Sequence, residues 1–462
     1  MLRSSLNSLF KLSRHPAVVA IGLLAAAVLP GLRLFLLVNQ KAVNLLYWDQ
    51  FDFYRPLFNG QGWADQFFWQ HGIHRQGLGG ILTRLVADAS GWNGRAEAFV
   101  ILGLVYLSLG LVLLLRWRLA GRFSLADMVY PLLVLNIYQY EIFIGTTNIA
   151  PAGLSLFLLC LYGVCWTLRR PALRYAAVLA ANFLAVFSGY SMFLGIITVL
   201  LLLLELGRAL WQREKAAAQL AGISALLSLL TVALFFNGYQ FFTTAGCTEL
   251  SFQAALRVPL FMSLMQAKFI GLNYTESAAW SAGAGIPLLL LTGATGVWSL
   301  IEALRRPAAQ RPLYWAAAGL IGFTLLYSAA AALGRSCLGM AQAQPSRYVT
   351  LLIPGFVGLF LVIQRLPFAR VRAAVFAIGL VLVLHSLWPF PAADQWVVDF
   401  YSSGKSDWKA CYLQGGSAAD CQQKTGFQVY PYLDERIRGE LDFLKEHRLN
   451  LYLDAAPGAQ TP

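Results

Sequence analysis

Stretches of about 20 apolar residues recur along almost the whole chain, broken by short polar segments that are mostly basic. A helix rises about 1.5 Å per residue, so such a stretch crosses the roughly 30 Å hydrocarbon core of a bilayer. Backbone polar groups in lipid must be satisfied within their own segment, which makes helices the elements this pattern predicts. The expected fold is an all-α polytopic membrane protein. Spans are read at 17–38, 97–115, 127–144, 149–168, 174–189, 191–208, 217–236, 282–303, 313–333, 348–365 and 373–390, about eleven transmembrane helices in all. As one helix, 174–208 would reach about 52 Å, too long for a single crossing. A break at Ser188-Gly189-Tyr190 divides it into two.

The polar intervals are unequal. Those at 39–96, 237–281 and 334–347 are the long or aromatic-rich ones, and 391–462 is the only conventionally soluble stretch. Segment 76–90 carries apolar residues at helical spacing and predicts an interfacial amphipathic helix. Loop 237–281 holds an apolar stretch of its own, 258–272.

Composition agrees with the pattern. Of 462 residues, 58% are hydrophobic and 12% charged, against about 25% charged in soluble domains. The net charge of +13 raises a nucleic-acid partner as a question, but about half of the basic residues fall in short clusters between apolar runs. The clusters are Arg3/Lys11/Arg14, Arg116/Arg118/Arg122, Arg169/Arg170/Arg174, Arg208/Arg213/Lys215, Arg305/Arg306/Arg311 and Arg365/Arg370/Arg372. That rhythm encodes orientation by the positive-inside rule, not a phosphate-binding face. It places the N-terminus inside, the intervals 39–96, 237–281 and 334–347 outside, and the tail 391–462 outside. The chain then divides into a membrane domain, 1–390, and a small extracytoplasmic tail that packs on the outer loops.

Cysteines divide by compartment. Cys160 and Cys165 lie in a span and read as packing residues. Cys411 and Cys421, ten residues apart in an oxidising compartment, predict a disulfide; Cys247 and Cys337 offer a second. The sequon Asn273-Tyr274-Thr275 matters only in a eukaryotic lumen.

Candidate chemistry gathers in the outer segments. Tyr47-Trp48-Asp49-Gln50-Phe51-Asp52 sets two carboxylates among aromatics just after the first span. One would take a proton from a hydroxyl as general base, and the other would orient the hydroxyl or hold a divalent cation. The plainer reading is an aromatic interfacial belt with solvated acids. Trp69-Gln70-His71-Gly72-Ile73-His74-Arg75 supplies an H-x-x-H pair and an arginine, suited to a phosphate or a metal, or to neither if it is only a polar loop. Glu141 sits toward the outer end of a span, where an acid is costly. Glu205 precedes Arg208 by three residues and pairs with it locally. Arg335 and Arg347 are the basic residues of 334–347, each beside a span and followed in the second case by Tyr348. Their guanidinium forks suit a lipid phosphate, or simple snorkelling to headgroups.

Together, an aromatic-Trp-Asp opening of the first outer loop, an amphipathic helix, an H-x-x-H-R element and a late outer Ser-Arg-Tyr resemble the integral-membrane glycosyltransferases of the C-type fold. The likeness is to their bacterial branch with a short soluble tail. That resemblance implies a polyprenyl-phosphate-linked sugar donor, an envelope glycan, lipid or protein acceptor, and a site facing outward from the bacterial cytoplasmic membrane. It implies that Asp49 or Asp52 is the base, that Arg335, Arg347 and Arg75 bind donor phosphate, and that Trp48, His71, His74, Glu141 and Tyr348 line the site. The two acids are separated by two residues, where the family's usual spacing is acid-x-acid. An envelope-glycan polymerase or ligase, and a transporter or lipid flippase, are the alternatives; the last calls for acids and broken helices at mid-membrane.

Overall fold

The computed structural model describes residues 15–241 and 252–454, without the side chains of 252–255 and apart from scattered positions between 367 and 387. It is almost wholly helical. Among the described residues, seven helices are long and apolar enough to cross a membrane: Pro16–Lys41, Gly94–Ala120, Gly189–Trp211, Lys215–Phe236, Ala278–Arg305, Arg311–Leu338 and Met340–Ile363. Each coincides with an expected span. Ala150–Cys165 and Pro171–Val186 are shorter apolar helices at two more. In the stretch 373–390, eight positions fall outside the described residues.

The expected span 127–144 is not one helix. It runs as a 3-10 turn Leu125–Met128, a helix Val129–Val134, a second 3-10 turn Ile137–Gln139 and a single turn Glu141–Ile144. Asn136 causes the break locally. Its side-chain oxygen accepts from Tyr138 N and its amide donates to Phe269 O, 2.8 Å each, so the side chain competes with the helical ladder. The break at 188–190 is where the sequence placed it. Gly189 adopts φ +60, and a Cβ there would lie 2.4 Å from the Pro151 Cα; glycine alone permits both the turn and the approach.

Helices Pro16–Lys41, Met192–Trp211, Lys215–Phe236 and Ala278–Arg305 present Leu24, Leu32, Leu200, Leu203, Leu226, Leu230 and Leu290 outward. Such a surface suits lipid. The Phe252–Phe269 helix, expected within an outer loop, packs against the Ala278–Arg305, Arg311–Arg335 and Val349–Ile363 helices; Phe269 meets Phe356 with ring centroids 4.2 Å apart.

Basic clusters converge at one end of the bundle. Arg116 pairs with Asp127 at 2.6 Å and donates to Gln364. Arg208 pairs with Glu205 and Glu214 at 2.7 Å, and Arg311 reaches Gln212. From there the 25-residue Arg311–Arg335 helix climbs about 37 Å, so Arg335 marks the opposite end.

At that opposite end the tail joins the first loop. Leu45, Leu46, Phe51, Tyr54 and Trp92 share one apolar core with Trp408, Phe427, Val429, Ile437 and Leu444. The tail is thus completed by the loop it covers. Cys411 and Cys421 are bonded, and Gly416 lies between them where a Cβ would sit 2.5 Å from Cys421 Sγ. Cys337 is also disulfide-bonded, while Cys247 lies outside the described residues. Cys160 and Cys165 are free and buried. The Asn273 amide is buried against Asp394 and Lys268, a position no glycan can occupy.

Candidate active site

After the first long helix, the chain is tied to the tail. Leu46 N donates to Asn450 Oδ1 (3.0 Å) and Trp48 N donates to Val429 O (2.8 Å). Between these ties Trp48 takes φ +54, a conformation bulky residues rarely hold and one that collects at functional sites. The twist opens the Gln50–Phe53 turn with Asp49 at its start. Gln50 points inward to Glu97 and Thr147, whereas the Asp49 carboxylate makes no cap bond and remains 45% exposed.

The two acids differ in what holds them. Both oxygens of Asp52 are committed: Arg436 lies 3.0 Å from one, and the Tyr430 hydroxyl donates to the other at 3.1 Å. Asp49 has only His71, Nε2 to Oδ1 at 3.7 Å. Burial pushes the Asp49 carboxyl above the usual range, and the Asp52 charge adds to this; His71, Arg347 and Arg335 pull the other way. A carboxylate raised in this manner is a stronger base than a solvated one. Asp49, Asp52 and His71 bring ligand atoms within 4.8 Å of one another and are the residues that would hold a divalent cation. The fit is partial, because Arg436 already neutralises Asp52.

The H-x-x-H-R element is a small antiparallel hairpin, not a helix. His71 and His74 are cross-strand partners around Gly72, which takes φ +56, and their rings stand 6.0 Å apart. His71 faces Asp49. His74 lies deeper, 4.7 Å from the Tyr190 ring; burial pushes its pKa down to about 3, so it is neutral, and neither ring nitrogen has a protein partner. Arg75 does not join the site, contrary to the phosphate role the sequence offered. Its guanidinium donates to the carbonyls of Phe235, Phe68 and Asn237 at 3.0, 2.6 and 2.7 Å, which fastens the hairpin to the end of the Lys215–Phe236 helix.

The charges of Arg335 and Arg347 act on Asp49 and lower its pKa, although neither arginine bonds to it among the described residues. Arg335 makes no hydrogen bond or salt bridge among the described residues. Arg347 pairs with Glu141 at 3.0 Å, and its backbone N–H donates to the other Glu141 oxygen at 3.1 Å. The broken segment delivers that glutamate: Glu141 N donates to Ser346 Oγ and Tyr401 donates its hydroxyl to Glu141. Tyr348 is buried, its hydroxyl without a partner among the described residues and its ring 6.3 Å from that of Tyr327.

Several contributors carried no sequence signal. Tyr190 lies close enough to Asp49, Arg335 and Arg347 to feel their charges. Tyr401, Tyr430 and Arg436 come from the tail. Lys405, also from the tail, donates to Ile144 O and Gly145 O and sits 4.9 Å from the Tyr47 ring; burial lowers its pKa to about 7. None belongs to a local motif. The chain matches no protein-family model, no curated protein and no solved structure.

Proposed function

We propose that this protein is a membrane glycosyltransferase. In this reading it moves a sugar from a polyprenyl-phosphate carrier to an envelope acceptor on the outer face of a bacterial cytoplasmic membrane. One observation carries the reading: a weakly held, partly desolvated carboxylate, Asp49, is faced by two arginines at the ends of membrane helices, at the end of the bundle away from the basic clusters. A lipid-borne phosphate would lie at that height.

The residues divide the work. Asp49 takes the proton of the acceptor hydroxyl as its oxygen attacks the anomeric carbon. The bond from that carbon to the phosphate oxygen breaks, and the released phosphate is held by the Arg335 and Arg347 guanidiniums. Arg335 is uncommitted, while Arg347 is held in place by Glu141. His71 sits beside Asp49, and a divalent cation bound with Asp52 would add positive charge there. The sequence motifs that resemble the C-type glycosyltransferases support the same reading.

The test is transfer by purified protein in nanodiscs, supplied with polyprenyl phosphates carrying single sugars and, separately, with pyrophosphate-linked oligosaccharides. Product from the former supports the reading. Product from the latter alone makes the protein a polymerase or ligase, and product from neither removes the enzymatic reading.

A further inference from the structure

A cavity of about 300 Å3 opens between the tail helix Ala392–Leu413, the turn before Tyr348 and the broken segment at Tyr140-Glu141, and it shares Glu141 and Tyr401 with the candidate site. Its size falls at the small end of the roughly 300–1,000 Å3 typical of ligand pockets. Two features of its wall define what it takes.

The first is charge balance. Asp394, 1% exposed, holds Lys268 in an ion pair and binds Asn273 and Tyr140 as well. Glu141 holds Arg347 in the same way. The charged residues that line the cavity, Glu141, Lys268 and Asp394, are each ion-paired, so the wall itself offers an anion no spare positive charge. It offers hydrogen bonds instead. Lys268 donates to Asp394 and Asn273, which leaves one of its three protons, and Thr275 and Gln342 stand on the rim.

The second feature is an aromatic platform. Trp396 lines the cavity yet remains 67% exposed, stacked on Phe400 with ring centroids 5.4 Å apart and planes 16° from parallel. A flat apolar face beside charge-paired hydrogen-bonding groups matches a pyranose ring, which has an apolar C–H face and an edge of hydroxyls.

We propose that this cavity binds a neutral sugar ring of the acceptor, one removed from the ring that reacts. The proposal rests on the glycosyltransferase reading and makes the acceptor a glycan. Its connection to the chemistry is short: Tyr401 lines the cavity, its ring stands edge-on to Tyr47 with centroids 5.7 Å apart, and Tyr47 lies two residues before Asp49. Binding energy gained here, away from the reacting atoms, would hold the next hydroxyl against Asp49.

The experiment is saturation-transfer NMR on the full-length protein in nanodiscs, against a panel of neutral mono- and disaccharides and N-acetylhexosamines, with inorganic phosphate as competitor. At least one sugar is expected to receive saturation. That signal should fall at least fivefold in Trp396→Ala and in Gln342→Leu, persist in Asp49→Asn, and be indifferent to phosphate. No signal from any sugar, signal unchanged in both cavity variants, or displacement by phosphate overturns the proposal; an unchanged Trp396→Ala and Gln342→Leu would leave Trp396 as a lipid-interface anchor. Sugar binding that obeys these rules in a protein showing no transfer would sink the enzymatic reading while keeping the site. Transfer without cavity binding would do the reverse.

Discussion

Asp49 and Asp52 stand within one turn of the same short helix and carry the same carboxyl group, yet their surroundings differ. Arg436 and Tyr430 bind Asp52 across sequence separations of 384 and 378 residues. Local sequence therefore revealed two candidate acids and had no means to rank them on physical grounds. Replacing Asp52 with Asn should loosen the tail, at a cost on the order of 1–2 kcal/mol for hydrogen bonds to charged groups, read as a lower Tm with residual transfer. Asp49→Asn should act in the other direction on stability. A carboxyl whose pKa is raised by folding contributes stability below its unfolded pKa and loses it as pH rises past that value, so removing the charge at neutral pH should raise Tm. If Asp49 is the base, as proposed, it works only when deprotonated, and the acid limb of kcat/KM should lie above the ordinary carboxylate range. Arg335→Gln removes a charge that lowers this pKa and should move the limb further up in a pH–rate profile. A limb that moves down, or not at all, would separate Arg335 from Asp49.

Elements whose cause is local were the legible ones. The turn at Gly189, the amphipathic helix Gly77–Ser90, the Glu205–Arg208 pair and the Cys411–Cys421 bridge all followed from neighbouring residues. The broken segment 125–144 did not, because hydropathy averages over Asn136 and its partner Phe269 O is contributed by another helix. The hairpin was hidden for a similar reason: two histidines three apart suit several geometries, and only Gly72 hints at the turn. Gly189→Ala, with both a positive φ and a backbone neighbour to displace, should cost about 1–3 kcal/mol, measured by thermal unfolding in detergent. Lys405 gives the tail helix a pH signature. Its pKa drops from 10.5 to about 7 on burial, so the unfolded chain holds an extra proton between those values and stability rises with pH across that window. Between pH 7 and 9, Tm of the wild type should climb relative to Lys405→Met; parallel curves would mean that this ammonium stays charged in place.

For the whole molecule, the rhythm of apolar runs and basic clusters carried the architecture, since both follow from the bilayer rather than from any fold-specific contact. The structure gathers Arg116, Arg208 and Arg311 at one end of the Arg311–Arg335 helix and Asp49, Arg335 and Arg347 toward the other. A reporter active only outside the cytoplasm, fused after Pro462, should be active; activity from a cytoplasmic reporter alone would place the tail, and the site it completes, on the wrong side. What the chain could not announce is that the tail supplies Tyr401, Lys405, Tyr430 and Arg436 to the site, because such contacts exist only after folding. The most direct test of the account is the single-turnover rate of sugar transfer from a radiolabelled polyprenyl-phosphate donor, compared between wild type and Asp49→Asn at equal membrane levels, with Asp52→Asn as control. Loss of a general base costs about 100- to 10,000-fold, and that loss is expected for Asp49→Asn with a much smaller one for Asp52→Asn. Near-normal transfer by Asp49→Asn would contradict the assignment of this carboxylate as the base.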